Sequence, residues 1–213
     1  MVGFPYEQRG DVEHRSRDLF QDPVDAILVI ALIGRGLVFR VQVECVSGVR
    51  RVGPTTQQLI DDMIETMREA NGVGLAAPQI NQSLRLTVIE TLPDHDDEGN
   101  EIQDSRQLFV LVNPKITWRS TEMVDGIEGC LSIPGWVGEV GRHESIRVRA
   151  QDRHGKKISM RLKDWTARIV QHEVDHLDGV LYIDRLTAPE NLWREEEFFA
   201  QEEGVEESEV PRG

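Results

Sequence analysis

Cysteine, aromatic residues and long apolar runs are all scarce in this sequence of 213 residues. Cys45 and Cys130 are too few for a disulfide scaffold, and they favour a reducing compartment in which a thiol stays free or binds a metal. The longest apolar run, residues 26–34, falls well short of the roughly 20 residues that a membrane-spanning helix needs. It also lacks the basic flank of a secretory signal. The sequence therefore predicts a cytoplasmic protein.

Positive charge is also in short supply. The chain has 24 lysines and arginines against 38 acidic residues, which gives a formal net charge of -14. Broad contact with a nucleic-acid backbone or an anionic membrane needs clustered positive charge, so we expect no direct nucleic-acid binding and no membrane contact. Residues 190–213 hold half of this net charge, and the acid-rich stretch 94–104 is expected to be an exposed loop without chemistry.

The length and the apolar content of 39% suit one globular domain. A helix is predicted where apolar residues recur at helical spacing between Leu59 and Met67, with Thr55 or Thr56 as its cap and a stop at residues 71–72. Alternating or β-branched segments predict four strands, at residues 85–91, 108–112, 145–151 and 157–162. The last two strands should be joined by a hairpin loop at residues 152–155.

A second helix is predicted from Trp165 to about Leu177, with Asp164 as its N-cap and Gly179 after its end. Apolar residues lie on both of its sides, so we expect the helix to be buried. A buried helix that contains two histidines and a glutamate needs an explanation, because buried polar groups need partners.

The explanation is the H-E-x-x-H pattern of residues 172–176. Residues four apart lie on one face of a helix, so His172 and His176 can bind one cation while Glu173 lies beside it. The alternative is a pair of surface histidines on an acidic helix, which the apolar flanks argue against.

A catalytic metal site usually has three protein ligands and one open position. The position six residues after His176, where the longer metalloprotease pattern has its third histidine, is Tyr182. Glutamates 195–197 are at a suitable distance along the chain, but they belong to the charge run of the tail. Cys130 in the segment EGCLS, residues 128–132, is the better candidate because a thiolate binds transition metals strongly. A lone cysteine is nevertheless more often a small core residue.

The segment GVGLAAPQ, residues 72–79, resembles neither a helix nor an ordinary strand. Its small residues let another chain lie close to the backbone, and Gln79 offers a neutral amide donor. It lacks the Gly-Lys pair of a phosphate loop. By itself it would be interpreted as a tight connection between a helix and a strand.

Together, GVGLAAPQ, EGCLS and QHEVDHLDG (residues 171–179) closely resemble the three signature motifs of peptide deformylase, in the same order and at these separations. The similarity runs from about Thr55 to Leu186. It implies an α+β fold in which β-sheets surround a central helix that carries the HExxH metal motif. The catalytic domain would be residues 54–189, between a divergent and partly irregular N-terminal region, 1–53, and an acidic C-terminal tail, 190–213.

The resemblance also implies a mechanism. Cys130, His172 and His176 would hold one divalent metal, Fe²⁺ in the first place, with Zn²⁺, Ni²⁺ or Co²⁺ able to occupy the site. The reaction would be hydrolysis of the formyl amide of formyl-methionine on newly synthesised peptides, with release of formate. Glu173 would accept and pass on the proton, while the Gln79 amide and the Leu131 backbone N–H stabilise the oxyanion.

For the substrate, the resemblance implies a nascent peptide that lies extended along the backbone at Gly74, with its methionine in an apolar pocket. Val73 and Ile169 are candidates for lining this pocket, and they are equally well explained as ordinary core residues. The acidic tail does not match the basic C-terminal helix with which some bacterial relatives contact the ribosome, so only a transient ribosome association is considered. Two alternatives remain at this point, a zinc endopeptidase and a non-catalytic relative that acts as a binding module.

Overall fold

The computed structural model describes residues 46–93, 102 and 105–200. The expectations for residues 1–45, for nearly all of the acid-rich stretch 94–104 and for residues 201–213 lie outside this part. The described part has an α+β fold built of antiparallel sheets and α-helices, as predicted. None of its helices is long and apolar enough to cross a membrane.

In the described part of the chain, eight strands form two antiparallel sheets. In chain order they are β1 (Gly74–Ala76), β2 (Leu86–Glu90), β3 (Leu108–Arg119), β4 (Met123–Cys130), β5 (Ile133–His143), β6 (Ser145–Gln151), β7 (Lys157–Lys163) and β8 (Leu192–Arg194). The five-stranded sheet has the order β1-β2-β3-β6-β7, and the three-stranded sheet has the order β4-β5-β8. Within the described residues, β1 is therefore an edge strand, with β2 on one side only.

The β6–β7 hairpin agrees closely with the sequence. Buried and exposed residues alternate along the middle of β6, half-buried and exposed residues alternate along β7, and the loop between them contains Gly155, whose φ of +79° suits glycine. β3 is longer than predicted. It continues past Asn113 and Pro114, which resemble a turn in the sequence, because a register shift between Val112 and Lys115 lets the pairing with β6 resume.

The β4–β5 hairpin was not predicted. Its two strands contain five glycines, which disfavour strand interiors, so the segment resembles a loop in the sequence. A two-residue turn at residues 131–132 joins them, and this turn places Cys130 at the end of β4. The segment GVGLAAPQ forms the short strand β1 followed by a 3₁₀ helix, Ala77–Ile80.

Helix α1, Pro54–Glu69, confirms the first predicted helix, but the predicted cap is wrong. Gly53 is the N-cap and no side chain caps the first turn, because Pro54 already supplies a suitable φ and has no N–H to satisfy. Four buried side chains pack against the five-stranded sheet, namely Ile60, Met63, Ile64 and Met67.

Helix α2, Asp164–Leu177, carries the H-E-x-x-H residues and has ten buried side chains. It contacts β1, β2 and β7 of the larger sheet and β5 of the smaller one. The expected capping by Asp164 is wrong. Lys163 is the N-cap, and Asp164 has a φ of +54° while its N–H donates to the Glu144 carbonyl. Gly179 follows the helix at a φ of +74°, where a glycine was expected.

Candidate active site

The three predicted metal ligands come together between β4 and α2. Cys130 Sγ lies 3.2 Å from His176 Nε2, and the ligand atoms of Cys130, His172 and His176 all lie within 4.8 Å of one another. No other group of this kind occurs in the described ranges 46–93 and 105–200. The other candidates for the third ligand do not belong to this group. Glutamates 195–197 are absent from the group, and the Tyr182 hydroxyl donates to the Trp136 carbonyl at 3.0 Å.

Electrostatics favour a thiolate at this position. Burial would raise the pKa of the Cys130 thiol, but hydrogen bonds and charge from His172 and His176 lower it to about 5. Burial would likewise lower the pKa of His172, and its bonds to the thiolate and to Glu128 raise it instead to about 10. Thiolate and imidazole are donors that bind divalent transition metals, so this set fits the metal that the motif predicts.

His172 is oriented by a buried carboxylate. Its Nδ1 lies 2.9 Å from Glu128 Oε2, which leaves Nε2 for a metal. Glu128 also accepts two hydrogen bonds from Arg142, at 2.9 and 2.8 Å, and one from Arg168 at 2.8 Å. Burial opposes ionisation of Glu128, but Arg142 and then His172 lower its pKa to about 2. The carboxylate is therefore a fixed negative charge behind the ligand.

The same network extends to the next turn of α2. Arg142 and Arg185 both bind Asp175, and Arg168 donates to the carbonyls of Val124 and Val140. These bonds join α2 to the β4–β5 hairpin. Cys130 and the two histidines are thus held at their separation by interactions that do not involve the ligands themselves.

Glu173 lies on α2 between the two histidines, with only 4% of its surface exposed. The Thr87 hydroxyl lies 3.4 Å from Oε2. A Cβ at Gly74 would lie 2.7 Å from Glu173 Cδ, so only glycine allows β1 to pass this close to the carboxyl group. Burial raises the pKa of Glu173, while the imidazoles of His176 and His172 act in the opposite direction. A carboxyl group in this environment can both take and return a proton.

Gln79 reaches the site from the 3₁₀ helix. Its Oε1 accepts the Ala76 N–H at 2.8 Å, and its Nε2 lies 3.1 Å from Ser132 Oγ and 3.8 Å from Cys130 Sγ. The amide is therefore oriented with its donor toward Cys130. Leu131 follows in the β4–β5 turn, with 47% of its surface exposed and its side chain beside Gly72.

The two candidate pocket residues lie in the same apolar cluster. Ile169 is buried in it, and Val73 is half-buried against it. Burial of this kind is expected for a residue that lines a pocket next to the core, and equally for an ordinary core residue. The role of Val73 and Ile169 in the pocket therefore stays a prediction.

Three supporting residues were missed from the sequence. Glu128 is the first residue of the EGCLS motif, so the motif could have identified it. Arg142 and Thr87 lie in β5 and β2 with no motif around them, and only the folded arrangement shows that they contact the site.

Comparison with known proteins identifies the family. The model of the polypeptide deformylase family matches residues 38–192, which is more than half of the chain. Peptide deformylase 2 of Nostoc sp. is 48% identical over 145 residues, which cover 68% of this chain and 79% of the relative. The peptide deformylase of Thermus thermophilus is 47% identical over 152 residues, which cover 69% of this chain and 74% of the relative.

Comparison with solved structures supports the same family. The peptide deformylase from Thermotoga maritima superposes with a TM-score of 0.61 at 36% identity, over 71% of this chain and 95% of that one. The peptide deformylase from Synechococcus elongatus in complex with actinonin gives the same TM-score and identity, over 71% of this chain and 76% of that one. The chain belongs to the polypeptide deformylase family.

Proposed function

We propose that this protein removes the formyl group from the N-terminal formyl-methionine of newly synthesised peptides and releases formate. The observation that carries the proposal is the group formed by Cys130, His172 and His176, with the Glu173 carboxyl group buried beside it. All four residues lie in the proposed catalytic domain, 54–189, and α2 is its proposed central helix. Regions 1–53 and 190–213 flank this domain, and the whole is assigned to the cytoplasm.

The three ligands would hold one divalent metal, and we propose Fe²⁺ as the resident ion. Zn²⁺, Ni²⁺ and Co²⁺ also accept thiolate and imidazole donors. When bound, the ion polarises the formyl carbonyl and lowers the pKa of a water molecule. Glu128 supports this role by accepting the Nδ1–H of His172, which orients the ring so that Nε2 is presented to the metal.

Glu173 would move the proton. It takes the proton of the attacking water at a carboxylate oxygen and later passes it to the departing amine nitrogen. Burial supports both steps, because it raises the pKa of the carboxyl group above its ordinary value and makes the carboxylate a stronger base. The Thr87 hydroxyl lies 3.4 Å from one carboxylate oxygen, Oε2, and the other oxygen is left for the proton transfer.

The oxyanion would be stabilised by the Gln79 side-chain amide and the Leu131 backbone N–H. The Ala76 N–H holds Gln79 Oε1, so the amide does not need to reorient when charge develops on the substrate oxygen. Both groups lie next to Cys130, one across from it and the other directly after it in the chain.

The peptide would extend along the free edge of β1, with its backbone at Gly74. β1 pairs with β2 on one side only among the described residues, and such an edge can accept a further strand. The methionine side chain would enter an apolar pocket that Val73 and Ile169 help to form. A transient association with the ribosome would bring the enzyme to its nascent substrates.

The test is formate release from formyl-Met-Ala-Ser, measured anaerobically with the iron-loaded and then the zinc-loaded protein. We expect turnover with both metals and little cleavage of unblocked peptides. Glu173→Gln should abolish turnover and keep the metal, while Glu65→Gln, an exposed control on α1, should leave both unchanged.

Two outcomes would contradict the proposal. Cleavage of internal bonds without formate release would indicate an endopeptidase, and in that case Cys130→Ala would leave metal binding largely intact. A normal metal content with no turnover of any formyl peptide would indicate a binding module.

A further inference from the structure

One face of the five-stranded sheet carries basic side chains that have no part in the candidate site. Every second residue of β7 is exposed, as are Arg147 and Arg149 of β6, and β3 adds further exposed residues after its register shift. We call the following set the basic face: Lys115, Trp118, Arg147, Arg149, Lys157, Arg161 and Lys163.

Strand pairing shows that these residues share one side of the sheet. Lys115 pairs with Arg149, and Arg147 pairs with both Trp118 and Arg161. Directly paired residues point to the same side of a sheet. The intervening residues of β6, Ile146 and Val148, are buried in the cluster that packs on α2. The basic face is therefore turned away from α2.

The charges of this face are not neutralised by the rest of the described structure. None of its six cations lies in an ion pair with a residue of the described ranges, whereas Arg68, Arg142 and Arg153 each bind a carboxylate. The other strand positions paired with the basic face are Ser145, Gln151 and Ser159, so β6 and β7 contribute no acidic residue to it.

The strand pairing places like charges opposite each other. Arg147 lies directly opposite Arg161, and Lys115 lies directly opposite Arg149. Like charges in directly paired positions destabilise a sheet. Residues two apart on a strand lie about 7 Å from each other, so the cations form rows of positive charge. An anionic partner bound along these rows would offset the repulsion between them.

Trp118 indicates which class of polyanion the basic face would bind. Trp118 is 42% exposed among the cations, and Arg161 Cζ lies 5.3 Å from the centroid of its ring. An exposed ring next to arginines offers a surface on which a nucleic-acid base can stack. An anionic membrane would match the charge, but a single aromatic ring on an otherwise polar face gives little to insert into lipid.

We propose that the basic face binds RNA in single-stranded or loop form, with its phosphates on the lysine and arginine rows and one base stacked on Trp118. The proposal goes beyond formyl hydrolysis and does not depend on the metal site. It contradicts the expectation drawn from the net charge, which cannot show that positive charge is gathered on one face.

The experiment measures fluorescence anisotropy of a labelled single-stranded RNA of about 12 nucleotides with the full-length metal-loaded protein, between about 50 and about 200 mM salt. Arg147→Gln with Arg149→Gln should weaken binding and flatten the slope of log affinity against log salt by about 1.4, or about 0.7 for each lost phosphate contact. Trp118→Ala should weaken binding about tenfold with the slope unchanged, and Trp118→Phe should restore most of it.

The matched control is Arg68→Gln with Arg194→Gln, which removes the same charge from outside the basic face and should leave affinity and slope unchanged. Equal losses in both double variants, or no binding by the unchanged protein at low salt, would overturn the proposal. Binding to phosphatidylserine vesicles in place of RNA would overturn it in favour of a membrane. Every variant should release formate from formyl-Met-Ala-Ser at the unchanged rate, so failure of RNA binding and failure of deformylation are separate results.

Discussion

Gly74 leaves the Glu173 carboxyl group the space beside β1 that any side chain would fill. Gly74→Ala should displace the carboxyl group and lower the rate of formate release by about 100-fold, the lower range for loss of a positioned acid–base group. Metal content should not change, because the three ligands remain in place. Gly53→Ala is the control, since a Cβ there would have no atom within 4 Å. Unchanged turnover in the Gly74 variant would show that Glu173 does not need this position.

Glu128 gives a second prediction for a single residue. Glu128→Gln should weaken metal binding by about 10- to 100-fold, because His172 loses the carboxylate that orients it. Affinity can be measured by competition with a chelator. Glu139→Gln on the adjacent strand, whose side chain binds Thr187 and Asn191, should leave metal affinity unchanged. An equal loss in both variants would mean that the effect is not transmitted through His172.

For single residues, the sequence was most informative about the proposed metal ligands and least informative about the residues that support them. Cys130, His172 and His176 stand in motifs, and two of them are brought together by helical spacing alone. Arg142 could not be identified in the same way, because its role depends on the pairing of β4 with β5. The contact between Gly74 and Glu173 depends on how β1 crosses α2, which no local pattern encodes.

Among the structural elements, α1 and β2 are tied by an ion pair near the surface. Arg68 Nε donates to Glu90 Oε2 at 2.9 Å, and this bond lowers the pKa of Glu90 below its ordinary value of 4.5. A carboxyl group with a lowered pKa in the folded state stabilises the fold above its ordinary pKa, and this contribution is lost as the pH falls through the folded value.

The expected consequence is a small, acid-sensitive contribution to stability. Between pH 6 and pH 3 the unfolding free energy of the unchanged protein should fall by about 0.5 to 1 kcal/mol more than that of Glu90→Gln, since the pair is partly exposed to solvent. Urea unfolding at several pH values measures the difference. Parallel curves for the two proteins would show that the pair contributes nothing.

Local patterns predicted the elements with regular periodicity. α1, α2, β6 and β7 were identified because buried residues recur at the spacing of a helix or a strand. The predicted N-caps of both helices were wrong, because Pro54 and the backbone at Asp164 start the helices without a capping side chain. β4 and β5 were missed because their glycines allow close packing against Arg168 and Leu186, a need that arises only in the folded protein.

For the whole molecule, the boundary of the acidic tail can be tested. Residues 192–194 form β8, which pairs with β5 at Trp136, Val137 and Gly138. A chain that ends at Ala200 should unfold like the full chain and release formate at the same rate. A chain that ends at Pro189 lacks β8, and it should lose about 2 kcal/mol of unfolding free energy because Leu192 and Trp193 no longer cover β5.

Denaturation in urea compares the two shortened chains, and formate release checks the site. Equal unfolding free energies of the two shortened chains would show that the cooperatively folding unit ends before β8. A loss in the chain ending at Ala200 would instead extend that unit beyond the described residues.

The thiolate of Cys130 has a consequence for the order of events during synthesis. The pKa of this thiol falls from its ordinary value of 9.0 because of two histidines, and the later one follows it by 46 residues. Cys130 is therefore translated well before α2 and stays a protonated thiol at neutral pH until that helix packs against it. Oxidants and metals react with the thiolate. The chain thus keeps most of its sulfur in the less reactive thiol form until the other two proposed ligands have arrived, and maturation of the site coincides with docking of α2.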